Sequence, residues 1–337
     1  MCAAIALGLE LPALTIASTL AAADHRRSGL RDPTSGAAEA WRGAAKAAEA
    51  AGFGAVWVSS SSGGRDRTCD PCTLAASLVP ATSNLVLGVV AGLSAADRVP
   101  SVLARDITTI DVMSNGRAAL LVDAGCRSLA PDAPGEGDPG SASAAARMTA
   151  EAIAVCRLLF SPEPVSFQGT HYRLRDAVNR PAPCRPGGPL LLAVLTPGDG
   201  TSPLAGAGQE PDRSSVPGDP DAWVVSGDPD EVATACDGLD RARAGGLDRA
   251  RAADQPPAKS RPSDAPGGPG RSRPGVVWRG ALPHPGRCAT LVADLRDAGA
   301  DGMIVRLAGG DVPSPEAVVA AARLLVPLLR RRETSRR

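Results

Sequence analysis

The sequence predicts an α/β fold whose parallel strands close into a (β/α)8 TIM barrel. Three observations carry this expectation. Eight short apolar runs recur along the 337 residues. Most of them lack polar alternation, the mark of strands covered on both faces. Helical patterns separate them, which is the grammar of a parallel sheet, and a chain of this length accommodates the barrel as one domain over residues 1–337.

The elements follow in order. "AAIALGL" near the start is the first strand. Ser35 is expected to cap an alanine-rich helix through "GAAEAWRGAAKAAEAA", which Gly52 ends in a left-handed turn before the strand "AVWV". Asp70 and Pro71 start a helix over 73–79, which leads into the strand "LVLGVV". In "VPSVLARDITTIDVMSNG", Val99, Leu103, Ile107 and Ile110 fall at spacings of four, four and three, one stripe of a helix. Asn115-Gly116 closes it before the strand "RAALLVD". A helix over 144–160 follows, then the strands "PLLLAVL", "AWVV" and "GVVW". The last unit, "LVADLRDAGADGMIVRLA", is helix, Gly299 and strand again.

Three stretches fall outside that scheme. Residues 127–146 are small and polar and read as a loop. Residues 161–188 contain "VSFQGTHYRLRDA", a β-hairpin turning at Gly169. Residues 240–274 are rich in Pro, Gly, Arg and Asp and take in most of the tandem octads "LDRARAGG" and "LDRARAAD"; they read as an insertion without structure.

Charge narrows the function classes. Lys plus Arg and Asp plus Glu both total 36, which removes the electrostatic footprint of a nucleic-acid binder or a polybasic membrane protein and leaves a small molecule as the expected ligand. Eight cysteines in so long a chain do not form a dense disulfide framework, so they are expected reduced and the protein cytoplasmic. The apolar stretch 2–23 lacks a basic n-region and is interrupted by Glu10 and Pro12, against both export and a membrane span.

In such a barrel the chemistry lies at the carboxyl ends of the strands. After the second strand come Ser59, Ser60, Ser61 and Ser62. Hydroxyls can contact a ligand, but an unassisted serine is a poor nucleophile and no GxSxG elbow surrounds these, so solvated loop and ligand contact both stay open. "TCDPCT" holds a CxxC without a second pair to complete a zinc site, and "DP" alone explains the helix start there. His171 is expected in cross-strand packing of the hairpin, while His25 and His284 follow strands and can reach the mouth. "LTPGDGTSPLAGAG" reads equally as a turn or a phosphate cradle, with Asp199 opposing an anion.

Taken in order, "AAEAAGFGAVWVS", "DPCTLAASLVPATSNLVLGV", "RVPSVLARDITTIDVMSNGRAALLVDAG", "FQGTHYRLRDAVNRPAP", "GPLLLAV" and "GDPDEVA" resemble the luciferase-like monooxygenases. That family comprises flavin- or deazaflavin-dependent barrel oxidoreductases. The resemblance implies FMN or coenzyme F420 across the barrel mouth and an unknown small organic substrate. It places Ser59 and Ser60 against the ring, Val89, Val90 and Ala91 behind it, and Asp123, Ala124 and Gly125 at its flank. Gly198, Gly200 and Thr201 approach the phosphate. No metal is implied. A homodimer, or a heterodimer with another luciferase-like barrel, is the expected assembly. The chain departs from the family where many members carry Asp-His, having Ser59-Ser60, and where "RHP" is usual, having "RVP". It also lacks the glycine pair after the fifth strand. These departures set a second reading beside the enzyme: a barrel that has lost its cofactor and serves as a structural or regulatory partner.

Overall fold

The computed structural model describes residues 7–12, 33–59, 70–92, 99–123, 139–195, 220–252, 275–307 and 312–330. Its first half runs β1 (Leu7–Pro12), α1 (Pro33–Ala51), β2 (Ala55–Ser59), α2 (Pro71–Leu78), β3 (Val86–Ala91), α3 (Pro100–Met113), β4 (Ala118–Val122) and α4 (Pro139–Leu159). The hairpin β5 (Val165–Gln168) and β6 (Arg173–Ala177) interrupts the alternation. Then come β7 (Leu190–Val194), β8 (Ala222–Val225), α5 (Pro229–Ala252), β9 (Gly275–Ala281), α6 (Pro285–Asp297), β10 (Gly302–Arg306) and α7 (Pro315–Arg330). All strands but the hairpin form one closed parallel barrel in the order β1-β10-β9-β8-β7-β4-β3-β2.

Each of the eight apolar runs supplies a barrel strand. The boundaries differ for physical reasons. β1 continues through Glu10 and Pro12, and Glu10 stands in register with Trp57 and Arg306. A barrel strand ends at the polar rim, so polar residues in its last turn of pleat belong to it. Helix α1 starts at Pro33, which suits a first helical position, so Ser35 lies inside the helix and not at its cap. Gly52 (φ 93°) and Gly299 (φ 90°) do take the left-handed conformation expected of them. Asp70 caps α2 as expected, its Oδ1 accepting from the Thr73 amide at 2.8 Å. On α3, Leu103, Ile107 and Ile110 are buried, whereas Val99 is the cap residue and 57% exposed. Helix α4 begins at Pro139, inside the stretch read as a loop. Helix α5 runs through the duplicated octad to Ala252, which moves part of the 240–274 stretch into regular structure. Alanine, leucine and arginine favour helix enough to carry it past Gly245-Gly246.

Strand alternation sorts the core into two layers. Ala55, Trp57, Val90, Ala119, Leu121, Leu192, Val224, Val277 and Ile304 fill the lumen. Their neighbours Val56, Val58, Leu87, Val89, Leu120 and Trp223 pack outward, together with the buried faces of the helices. Trp57 is fully buried, and the strands on either side of it place Gly8 and Gly88 against its indole.

The amino-terminal end is tied by polar side chains. Arg117, just before β4, donates through Nη1 to Leu85 O (2.8 Å) and Thr82 Oγ1 (2.9 Å), and through Nε to Ser114 O (2.9 Å). Glu49 on α1 accepts from the amides of Ser83, Asn84 and Leu85 at the entry to β3. Burial opposes the Glu49 charge, but those three amides and the Arg117 charge outweigh it and hold its carboxyl below the ordinary value of 4.5. A carboxyl depressed on folding adds stability above its unfolded pKa and loses it as pH falls through the folded one. Glu49→Gln is therefore expected to lower the melting temperature at pH 7. The gap to wild type should close as pH drops below about 4.5, in thermal melts followed by circular dichroism.

Candidate active site

Period-two alternation decides which residues reach the mouth. On β2, Ser59 shares the lumen side with Ala55 and Trp57; on β9, Arg279 shares it with Val277. Asp123 follows β4 in the same phase as Ala119 and Leu121. Ser59 is buried and stands in register with Val90 on one side and Pro12 on the other. The Asp123 amide donates to Ala91 O at 3.0 Å, which fixes the start of that loop against β3.

Arg279 Nη1 donates to Asp123 Oδ2 at 2.7 Å, and both side chains are 13% exposed. Strands β7 and β8 stand between β4 and β9, so this ion pair reaches across the opening as well as around its rim. Below it the lumen is apolar and filled. Among the described residues the mouth thus has a hydrocarbon floor, a hydroxyl on β2, a paired carboxylate and guanidinium from β4 and β9, and Arg306 in the same lumen phase at the end of β10.

Of the residues the sequence nominated, Ser59, Val90 and Asp123 sit at or just below the mouth. Val89 and Ala91 turn their side chains outward into the layer shared with the helices, so at most their backbone faces the opening. Ser60, Ala124, Gly125, Gly198, Gly200 and Thr201 lie outside the described residues, as do His25 and Asp199. Arg279 was not nominated. Its signal was available, because it falls two residues after Val277 on a strand otherwise apolar, but its partner is 156 residues away.

The other candidates prove structural. His284 caps α6, its Nδ1 accepting from the Gly286 amide at 3.3 Å. His171 is exposed in the hairpin turn, not in cross-strand packing; Phe167 pairs with Leu174 and Gln168 with Arg173, leaving 169–172 as the connection. The Glu151 carboxylate on α4 accepts the amides of Thr170, His171 and Tyr172 and so holds that turn. Asp228 and Glu231 cap each other's amides at the start of α5, which accounts for "GDPDEVA". Burial, with the nearby Asp106 charge, pushes the Cys72 thiol up to about 12. Cys72 should resist alkylation at pH 8 in the folded protein and react once it is denatured in urea, as mass spectrometry of the modified peptide would read. Among the described residues no cluster of three or more His, Cys, Asp or Glu could hold a metal ion. No described helix is long and apolar enough to cross a membrane.

A closed parallel barrel whose polar side chains gather at the carboxyl rim is the layout in which barrel oxidoreductases carry their sites. This chain belongs to the luciferase-like monooxygenase family, whose sequence profile matches residues 19–250. Solved structures extend the likeness to nearly the whole chain. An F420-dependent secondary alcohol dehydrogenase in complex with an F420–acetone adduct aligns over 96% of this chain and 99% of its own, at 14% identity and a TM-score of 0.61. The coenzyme F420-dependent tetrahydromethanopterin reductase of Methanopyrus kandleri aligns over 96% and 99%, at 13% identity and 0.59. The monooxygenase RslO1 of Streptomyces bottropensis aligns over 98% and 100%, at 14% identity and 0.60. At such identities the likeness shows the fold. No curated protein matches the sequence.

Proposed function

We propose that the protein is an FMN- or F420-dependent oxidoreductase whose cofactor lies across the carboxyl mouth of the barrel, acting on a small organic substrate. The observation that carries this reading is the Asp123–Arg279 pair beside Ser59 above a filled apolar lumen. These residues fit a planar ring with one polar edge. The packed lumen keeps the ring on the rim, Val90 and its neighbours offer an apolar seat, and Ser59 and Arg279 offer hydrogen-bond donors. Ser59, Val90, Asp123 and Arg279 would hold the ring; Ser60, Ala124, Gly125, Gly198, Gly200 and Thr201 belong to the proposal through the family resemblance. When bound, FMN supplies oxygen activation and F420 supplies hydride transfer. The chain's own contribution is to orient the ring and exclude water from its inner face, which the dry lumen does. Among proteins of similar structure, F420 serves a secondary alcohol dehydrogenase and a tetrahydromethanopterin reductase, and riboflavin lyase is seen with modified FMN.

A companion barrel without cofactor is the second reading, favoured by Ser59 standing where many members carry an acid next to histidine. It would act by pairing with a second copy or with another luciferase-like barrel. Titration of the purified chain with FMN and with F420, followed by ring absorbance and fluorescence, separates the two. Saturable perturbation by either supports the enzyme. Silence with both supports the companion.

A further inference from the structure

The ion pair at the mouth is not explained by stability. Two charges largely withdrawn from water, with apolar Val277 and Ile304 as lumen neighbours below, pay a desolvation cost that their attraction only roughly returns. It is also a poor anion site, because the Asp123 carboxylate lies 2.7 Å from the guanidinium and would repel a phosphate or carboxylate. What the pair does present is an acceptor and a donor side by side with their charges cancelled. That combination matches a neutral edge in which an N–H stands next to a carbonyl.

We propose that Asp123 and Arg279 together recognise the imide edge of the cofactor ring, the Asp123 carboxylate accepting from the imide N–H and Arg279 donating to the adjacent carbonyl. The inference rests on the cofactor reading above and deepens it. FMN and F420 share this imide, so the device serves either ring. The contact between the two side chains engages Oδ2 and Nη1; the imide edge displaces the further partners that both groups hold. Position supports the assignment. Asp123 is tethered to β3 through Ala91 O, and Arg279 rises from a strand position in register with Ile304 of the lumen floor, so neither group is carried by a loose loop tip. Arg279 also lies beyond residues 19–250, the part of the chain that matches the family profile, so the donor is contributed by the strand that profile does not reach.

The test uses the full chain and equilibrium binding read by ring fluorescence. Whichever of FMN and F420 binds is compared with its form methylated at the imide nitrogen, which removes one N–H. Wild type should bind the methylated form about 10-fold or more weakly, the size expected for losing a hydrogen bond to a charged group. Asp123→Ala alone strands a guanidinium, so the double variant Asp123→Ala/Arg279→Ala, which removes both charges, guards against a folding defect. The double variant should bind the parent ring about 10-fold or more weakly than wild type does and no longer discriminate against the methylated form. Equal binding of the two forms by wild type, or discrimination that survives in the double variant, overturns the imide assignment while leaving the cofactor reading standing. Failure of both FMN and F420 to bind wild type overturns the two together.

Discussion

Gly88→Ala is expected to destabilise the protein by about 3 kcal/mol, the upper part of the range for overpacking a core. A Cβ at Gly88 would fall inside contact distance of Trp57 Cε3 and Cδ2 and 2.7 Å from Cζ3. The indole has nowhere to retreat, because a Cβ at Gly8, on the opposite neighbouring strand, would already lie 2.8 Å from its Nε1. Urea midpoints of the single variant and of Trp57→Leu/Gly88→Ala make the check. The smaller side chain vacates the contested volume, so the double variant should lose less than the two single losses added together. A Gly88→Ala protein as stable as wild type would mean that the indole is not seated between those two backbones.

Asp111→Ala should cost a similar amount, about 3 kcal/mol, since a fully buried acceptor disappears from under two amides. Asp111 Oδ2 accepts from Cys184 N at 2.9 Å and Oδ1 from Ala118 N at 3.4 Å. The segment after the hairpin is thereby strapped to α3, with a second tie from Asn179 Nδ2 to Thr108 Oγ1 at 3.2 Å. A second readout is independent of unfolding. The Cys184 thiol is pushed above its ordinary value by burial, the Asp111 charge and a hydrogen bond to Asp111. Its alkylation rate at pH 8 should therefore rise in the variant, because both the strap and the opposing charge have gone. An unchanged rate with an unchanged melting temperature would show that the strap is held by other contacts.

Strand positions were legible because both faces of each barrel strand are covered. Runs such as "ALLV" and "LLLAV" are apolar without interruption, and few other arrangements bury a stretch that short so completely. Ends were less legible. Glu10 and Pro12 look like breaks in a string of letters, and Gly245-Gly246 looks like the end of a helix, whereas position in the barrel and the propensity of the flanking residues decide otherwise. The family resemblance was carried mainly by scaffold. "SNGR" supplies the Arg117 tie, "FQGTHYRL" the hairpin gripped by Glu151, and "GDPDEVA" a reciprocal cap. The mouth was harder to read, since Asp123 and Arg279 acquire their meaning only from each other across the opening. Arg279 directly follows the apolar run "GVVW" and is the next side chain after Val277 in the lumen phase, yet by itself it reads as the polar end of a strand.

Trp57 gives the molecule a built-in lamp. Its indole is sealed from water, its N–H meets no partner among the described residues, and it sits one pleat below Ser59, directly under the seat proposed for a light-absorbing ring. Emission from such a dry site lies toward the blue and passes readily to a yellow chromophore above it. Darkening of that signal on mixing would report occupancy of the rim in the unlabelled protein, on the timescale of arrival.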